Sequence, residues 1–395
     1  MLALGALVAL VVATSACTTS SATPTAVAPN VTLATEALVS IGAGVSGPAG
    51  LTASIYATGV ANASGLVVDP QGRLWIATAA AQDSGADAIY LVATPGAAPV
   101  KVVDDIATPM GLLWHDDALY VSSIGRVDAL SGFDGTAFTD VRTIVELPDG
   151  VGMSNGLAIG PDGRIRLGIS APCDGCSPTS PLSASIISFA PDGTDLRVDV
   201  SSVRAPIGLA YYPGTDDLFV TMNQRDGLGD QTPGDWLAVV EAGQDWGFPE
   251  CAGSTYVGAD APTGTTDDTD PGASAGTTAA TTAPDPAAVT TATADCSTVP
   301  TPLAELDPHA AVSGLAIVTG QLGPAVGTTA IVAEWATGKV QQVALTSTAD
   351  GAYRGAVEPF VSGIEKPVPV LLAPDGAVLI GDWATGSIYR IARSS

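Results

Sequence analysis

Apolar and polar positions along this chain fall into a short phrase that recurs six times. Each copy opens on Gly-Leu or Pro-Val, continues through an apolar run, reverses at a Pro-Asp-Gly-type turn and closes on β-favouring residues. The copies are Gly65–Thr78 (GLVVDPQGRLWIAT), Gly111–Ser123 (GLLWHDDALYVSS), Gly156–Ser170 (GLAIGPDGRIRLGIS) and Gly208–Asn223 (GLAYYPGTDDLFVTMN). Gly314–Trp335, with a longer turn, and Pro369–Trp383 complete the set. Apolar strand, turn chemistry and second strand make each copy a β-hairpin. Successive starts lie 46, 45, 52, 106 and 55 residues apart. A strand-only repeat near fifty residues is the signature of a propeller blade. The phrase therefore predicts an all-β, six-bladed β-propeller.

The long gap has a compositional cause. From about 252 to 295 the chain is Thr, Ala, Asp, Pro and Gly without apolar periodicity, which predicts a disordered low-complexity insertion. Residues 51–395 are expected to form the propeller that carries it.

The first 17 residues, MLALGALVALVVATSAC, form an apolar run too short for a comfortable membrane span. Small residues before Cys17 resemble the bacterial lipobox, which predicts a signal segment over 1–17 and lipidation of Cys17. No Lys or Arg precedes the run, and Thr14 stands where the lipobox usually has Leu. Residues 18–50 then read as a disordered tether. The protein is expected to be exported, either secreted or held on the outer face of the membrane by its lipid.

Four further cysteines suit two disulfides in an oxidising compartment. Cys173 and Cys176 form a CxxC, and Cys251 and Cys296 flank the insertion. A CxxC also suits redox chemistry or half a zinc site. With no second CxxC, His pair or thioredoxin-like βαβ pattern nearby, a loop staple is the expected role.

Fourteen Lys and Arg face 40 Asp and Glu, a formal charge of −26. That balance excludes nucleic acid as a partner and leaves the lipid as the only membrane contact. A small-molecule ligand, a sugar or another, is the remaining expectation. Propellers bind ligands where loops converge at one end of the channel. The densest polar loop follows the fourth copy, Asn223 to Asp235, and its carbonyls and carboxylates suit Ca²⁺. The alternative there is a solvated acidic loop.

That loop, NQRDGLGDQTPGDWLAVVEAGQDWGFPEC, resembles the corresponding segment of the glucose/sorbosone dehydrogenase family. Arg204-Ala205-Pro206, NGLAIGPDGRIRLGISAPCDGC and EKPVPVLLAPDGAVLIGDWATGSIYRI extend the resemblance over roughly 50–252 and 297–393. It implies an exported six-bladed propeller that oxidises aldoses with pyrroloquinoline quinone (PQQ) and calcium. By the same resemblance Arg204, Asn223, Arg225 and Lys366 contact the cofactor. Calcium falls to the main-chain carbonyls of Gln224 and Arg225 and to Asp235. The bland alternative for lone cations is a surface ion pair.

Removing a hydride from a sugar carbon needs a base for the hydroxyl proton. The family places a His just before the third copy, whereas this chain has Gly150-Val151-Gly152-Met153-Ser154-Asn155 there. Its two histidines are His115, expected at an outer hairpin tip, and His309, before the fifth copy. The other departures are Ala205, Asp235-Trp236-Leu237-Ala238 and Glu334-Trp335-Ala336, where polar family residues are replaced. His309, Asp149 and Asp382 are the substitutes for the base. Two readings follow: a PQQ- and calcium-dependent sugar dehydrogenase, or a binding or scaffolding propeller that has lost the chemistry.

Overall fold

The computed structural model describes residues 37–80, 87–229, 232–259, 294–349 and 351–394. Cys17, the expected signal segment and most of the expected insertion lie outside these residues. Six four-stranded antiparallel sheets are present among the described residues. Blade 1 runs Ala63–Val68, Leu74–Thr78, Ile89–Val92 and Val100–Val103. Blade 2 runs Gly111–His115, Ala118–Ser123, Arg126–Phe133 and Phe138–Glu146. Blade 3 runs Ser154–Ile159, Ile165–Ile169, Ser185–Phe189 and Arg197–Val200. In blade 4, Ala205–Tyr211, Leu218–Asn223 and Gly234–Val240 are completed by Ala304–Pro308, from beyond the insertion. Blade 5 runs Val312–Thr319, Thr328–Glu334, Lys339–Ser347 and Tyr353–Val361. Blade 6 takes Pro367–Leu372, Val378–Asp382 and Ser387–Arg393, and borrows Leu51–Ala57 as its outermost strand. That loan pairs the two ends of the propeller chain, Ile391 with Ala53, and closes the ring.

Each recurring phrase supplies the first two strands of a blade, and the first strands touch one another around the axis. Their glycines sit at the closest approaches. A Cβ on Gly156 would lie 2.5 Å from Ile207 O, and one on Gly208 2.5 Å from Ser313 O. Only hydrogen fits between such backbones. Short polar side chains then join neighbours: Ser64 Oγ to Pro109 O (2.6 Å), Asn155 Nδ2 to Pro206 O (2.9 Å) and Thr221 Oγ1 to Ser313 O (2.7 Å). Ser313 Oγ donates to Val368 O (3.1 Å), and Trp383 Nε1 to Ala79 O across the closure (2.8 Å). Apolar clusters fill each gap between adjacent blades. Burying one Val, Leu or Ile stabilises by about 1.5–3 kcal/mol, so the interdigitated blade faces hold the ring.

The turns show why the phrase carries an acid. Asp69 is buried and accepts the amides of Gln71 (3.0 Å) and Arg73 (2.9 Å), the Arg73 guanidinium (2.6 Å) and Trp75 Nε1 (2.9 Å). One carboxylate shapes the reversal and satisfies the fully buried Trp75.

Three expectations need adjustment. The tether is not disordered to residue 50, because Val39–Gly42 and Val45–Gly47 form a hairpin. Its Ile41 and Val45 enter the apolar cluster between blades 5 and 6, and its turn uses Gly42, Ala43 and Gly44 at positive φ. Those two buried side chains, one on each strand, anchor it. The insertion is also narrower than 252–295: Cys251–Ala252 pairs with Thr255–Tyr256, and Asp295 caps a turn of 3₁₀ helix, Cys296–Thr298. His115, finally, ends an innermost strand, not an outer one, at the end of the blade away from that strand's start. Both expected disulfides, Cys173–Cys176 and Cys251–Cys296, are formed.

Candidate functional site

The start of each first strand pairs with the end of the second: Ala205 with Asn223, Val312 with Glu334, Pro367 with Asp382. Loops at that end of the ring form one mouth, to which Arg204, the Asn223 loop, His309 and Lys366 all belong.

On the side of blades 3, 4 and 5, a charged cluster joins four loops, those of Asp174, Arg204, Asp226 and His309. His309 Nδ1 lies 2.8 Å from Asp226 Oδ1, although the two are 83 residues apart. Arg204 Nη2 lies 2.7 Å from Asp174 Oδ1 and 3.7 Å from Asp226 Oδ2. Asp174 also accepts the amides of Asp226 (2.8 Å) and Gly227 (2.9 Å). Arg225 is buried and donates from Nη1 to the carbonyls of Pro249 (3.2 Å) and Gly258. His309 and Ala311 have φ of 54° and 50°. Left-handed backbone is costly for side-chain-bearing residues, and it recurs at Asn62, Thr108 and Ser202 in the chain entering blades 1, 2 and 4. His309 presents a half-exposed ring, so the tautomer that donates from Nδ1 to Asp226 leaves Nε2 as an acceptor.

Blades 5, 6 and 1 contribute an aromatic side to the mouth. The Lys366 ammonium stands 4.6 Å from the centre of the Trp335 ring and donates to Ala336 O (3.2 Å). Trp335 meets Trp383 edge-on, with centroids 5.9 Å apart. The main-chain amides of Trp335 and Ala336 donate to Ala311 and Ala310, tying this corner to the His309 segment.

Two predicted acids have other tasks. Asp382 is fully buried and accepts the amides of Glu365 (3.2 Å), Lys366 (3.0 Å) and Ala384 (3.1 Å) and the Thr385 hydroxyl (2.9 Å). It organises the turn before blade 6, and no lone pair is left to take a substrate proton. Asp235, expected on a metal, accepts the amides of Gln224 (2.8 Å) and Val312 (3.2 Å) from its two oxygens. Asp87 does the same for Ala80 (2.8 Å) and Thr108 (3.3 Å) between blades 1 and 2. Both are buried carboxylates that pin a blade's second loop to the chain leading into the next blade. Among the described residues, no group of three or more His, Cys, Asp or Glu could hold a metal ion. Asp149 is exposed on the turn before blade 3 and makes none of the cluster's hydrogen bonds. Asn223 sits at the head of its loop with a buried Oδ1 that no protein group reaches.

Burial pushes the Asp235 carboxyl up to about 6, with Asp226 adding to the rise and the two amides and Arg204 opposing it. The folded protein therefore binds this proton more tightly than the unfolded chain, whose ordinary value is 3.8. The group's contribution to stability is full below about pH 4 and declines as pH rises to about 6, by up to about 3 kcal/mol. Urea unfolding of wild type and Asp235→Asn at pH 4, 5, 6 and 7 checks this. The stability of wild type relative to the variant is expected to fall across that window. A difference that does not change with pH would count against it.

Sequence reading missed Asp174, Asp226, Trp335 and Trp383 as partners in the site. A carboxylate enclosed in a CxxC and an Asp-Gly directly after Arg225 were the available signals.

No protein-family model matches the chain, and no curated protein matches it. Solved structures do. The PQQ-bound aldose sugar dehydrogenase of Streptomyces coelicolor is 18% identical with a TM-score of 0.60, over 88% of this chain and 99% of that one. The holo PQQ domain of pyranose dehydrogenase from Coprinopsis cinerea is 14% identical with a TM-score of 0.64, over 88% and 97%. A calcium structure of a Trichoderma reesei carbohydrate-active enzyme of family AA12 is 14% identical with a TM-score of 0.65, over 92% and 99%. At these identities the likeness establishes the fold, a six-bladed propeller.

Proposed function

We propose that the protein is a sugar dehydrogenase working at this mouth with PQQ, and that His309, oriented by Asp226, is its proton acceptor. The observation that carries the reading is the 2.8 Å contact between His309 Nδ1 and Asp226 Oδ1, in the loop beside Arg204. Structures that share the fold and bind PQQ support it.

A planar tricarboxylate needs cations for its acids and a flat surface for its rings. Lys366 over Trp335, with Trp383 edge-on, meets both needs, and Arg204 supplies a second cation. Those four residues would hold the quinone. When bound, such a quinone supplies an acceptor for the hydride of the sugar carbon. The chain's own task is the proton: His309 Nε2 takes it from the sugar hydroxyl, and the Asp226 carboxylate stabilises the imidazolium that results. Both Asp235 oxygens are engaged by main-chain amides, so the main-chain carbonyls of Gln224 and Arg225 are the part of the expected set that would hold calcium.

Export and attachment through lipidated Cys17 belong to the same proposal, as an oxidoreductase facing sugars outside the membrane. A binding propeller without turnover is the second reading. Two observations favour it: Arg204 is already paired with Asp174, and Arg225 is buried on carbonyls.

Titration of the purified, calcium-loaded protein with PQQ, then addition of an aldose and an artificial electron acceptor, separates the two. Tight binding with dye reduction is expected. Binding without reduction would favour the second reading, and absence of binding would sink both roles for the quinone.

A further inference from the structure

We propose that Asp174, enclosed by the Cys173–Cys176 disulfide, is a positioning residue that holds Arg204 away from Asp226 and so keeps Asp226 on His309. The inference rests on the reading of His309 as the proton acceptor and names a device that serves it.

Three hydrogen-bond donors converge on the Asp174 carboxylate, all from the chain flanking or following blade 4's first two strands, and the Arg225 guanidinium stands 3.9 Å from its Oδ2. Oδ1 takes Arg204 Nη2 (2.7 Å) and the Asp226 amide (2.8 Å), and Oδ2 takes the Gly227 amide (2.9 Å). Its main-chain oxygen takes Arg204 Nε as well (3.1 Å). Arg204 is thus gripped at two points by one residue. The approach is close enough that a Cβ on Gly227 would stand 2.8 Å from Asp174 Oδ2. Asp174 sits inside the Cys173–Cys176 cross-link of the loop between Ile165–Ile169 and Ser185–Phe189, and the Cys176 amide faces Cys173 Sγ at 2.9 Å.

Two consequences follow from charge and geometry. The paired amides fix the backbone from which Asp226 reaches His309. The Asp174 charge also outcompetes Asp226 for Arg204, whose Nη2 is 2.7 Å from the first and 3.7 Å from the second. A charge-assisted bond from Arg is strong enough to redirect a carboxylate when a better partner is lost. Without the Asp174 charge, Arg204 closes on Asp226 and draws it from the imidazole. His309 Nδ1 then loses its acceptor, and Nε2 is no longer held as the bare nitrogen.

The chain has two histidines, so nitrogen-15 spectra of the imidazoles in the full chain contain two rings, and His309→Asn assigns them. Wild-type His309 is expected in the Nδ1–H tautomer. Asp174→Asn, close in shape but uncharged, is expected to move it toward Nε2–H. It should also lower kcat for aldose-dependent dye reduction by roughly ten- to a hundredfold, with KM changed far less. Adding Arg204→Ala to Asp174→Asn removes the competitor and should restore the wild-type tautomer. Opening the loop with Cys173→Ser/Cys176→Ser should shift it in the same direction as Asp174→Asn. An unchanged His309 tautomer in folded Asp174→Asn overturns the proposal, as does a double variant that fails to restore it. The tautomer reports without turnover. If wild type reduces no dye while the tautomer still follows Asp174, the catalytic reading fails and the positioning stands.

Discussion

Replacing His309 by Asn is expected to reduce aldose-dependent dye reduction by about 10²- to 10⁴-fold, the range for losing a positioned general base. Asparagine suits the test because it tolerates left-handed backbone, and His309 has φ of 54°. The ring is half-exposed and belongs to no apolar cluster, so the urea midpoint should hardly move. Binding of PQQ should persist, since Lys366, Trp335 and Arg204 are untouched. The loss should appear in kcat at near-neutral pH. Activity within threefold of wild type would remove His309 from the chemistry.

Gly314→Ala is expected to cost about 3 kcal/mol or more, enough to threaten folding, because overpacking is severe where nothing can yield. The new Cβ would lie 2.3 Å from Val370 N, 2.4 Å from Val368 O and 2.9 Å from Pro369 C. All three atoms are main chain of blade 6, and a closed ring gives that strand no free direction in which to retreat. Gly65 offers a matched comparison in the same phrase, because a Cβ there meets Leu112 Cγ and Met110 O only at 3.3 Å. Gly65→Ala should be much milder. Urea denaturation of the two variants measures the ordering, and equal losses would refute the close-approach account of the repeating glycine.

The repeats were legible because their information is local. Apolar runs, an acid such as Asp69 that caps its own turn, and glycine at the start of five of the six copies are readable within one phrase. The cysteines paired as their positions indicated. The hairpin at Val39–Gly47 was hidden by a Ser-, Gly- and Ala-rich composition, although Ile41 and Val45 have apolar partners in the fold.

The site was legible only in part. The family resemblance pointed to Arg204 and Lys366, and a place before the fifth copy pointed to His309. What each would touch could not be read. Asp382 and Asp235 look like reactive acids in sequence and are instead consumed by buried amides. Asp174 was unremarked and Asp226 entered only as one carboxylate of the Asn223–Asp235 loop, yet they decide where Arg204 and His309 point. By itself, then, the sequence determined the class of strand and the number of blades, because apolar runs and turn chemistry act over a few residues. The partner of each charged group was decided only by the tertiary structure. Ring closure brings residues as far apart as Asp174, Asp226 and His309 within hydrogen-bonding distance, and at that range ångström-scale differences between competing carboxylates select the pairs.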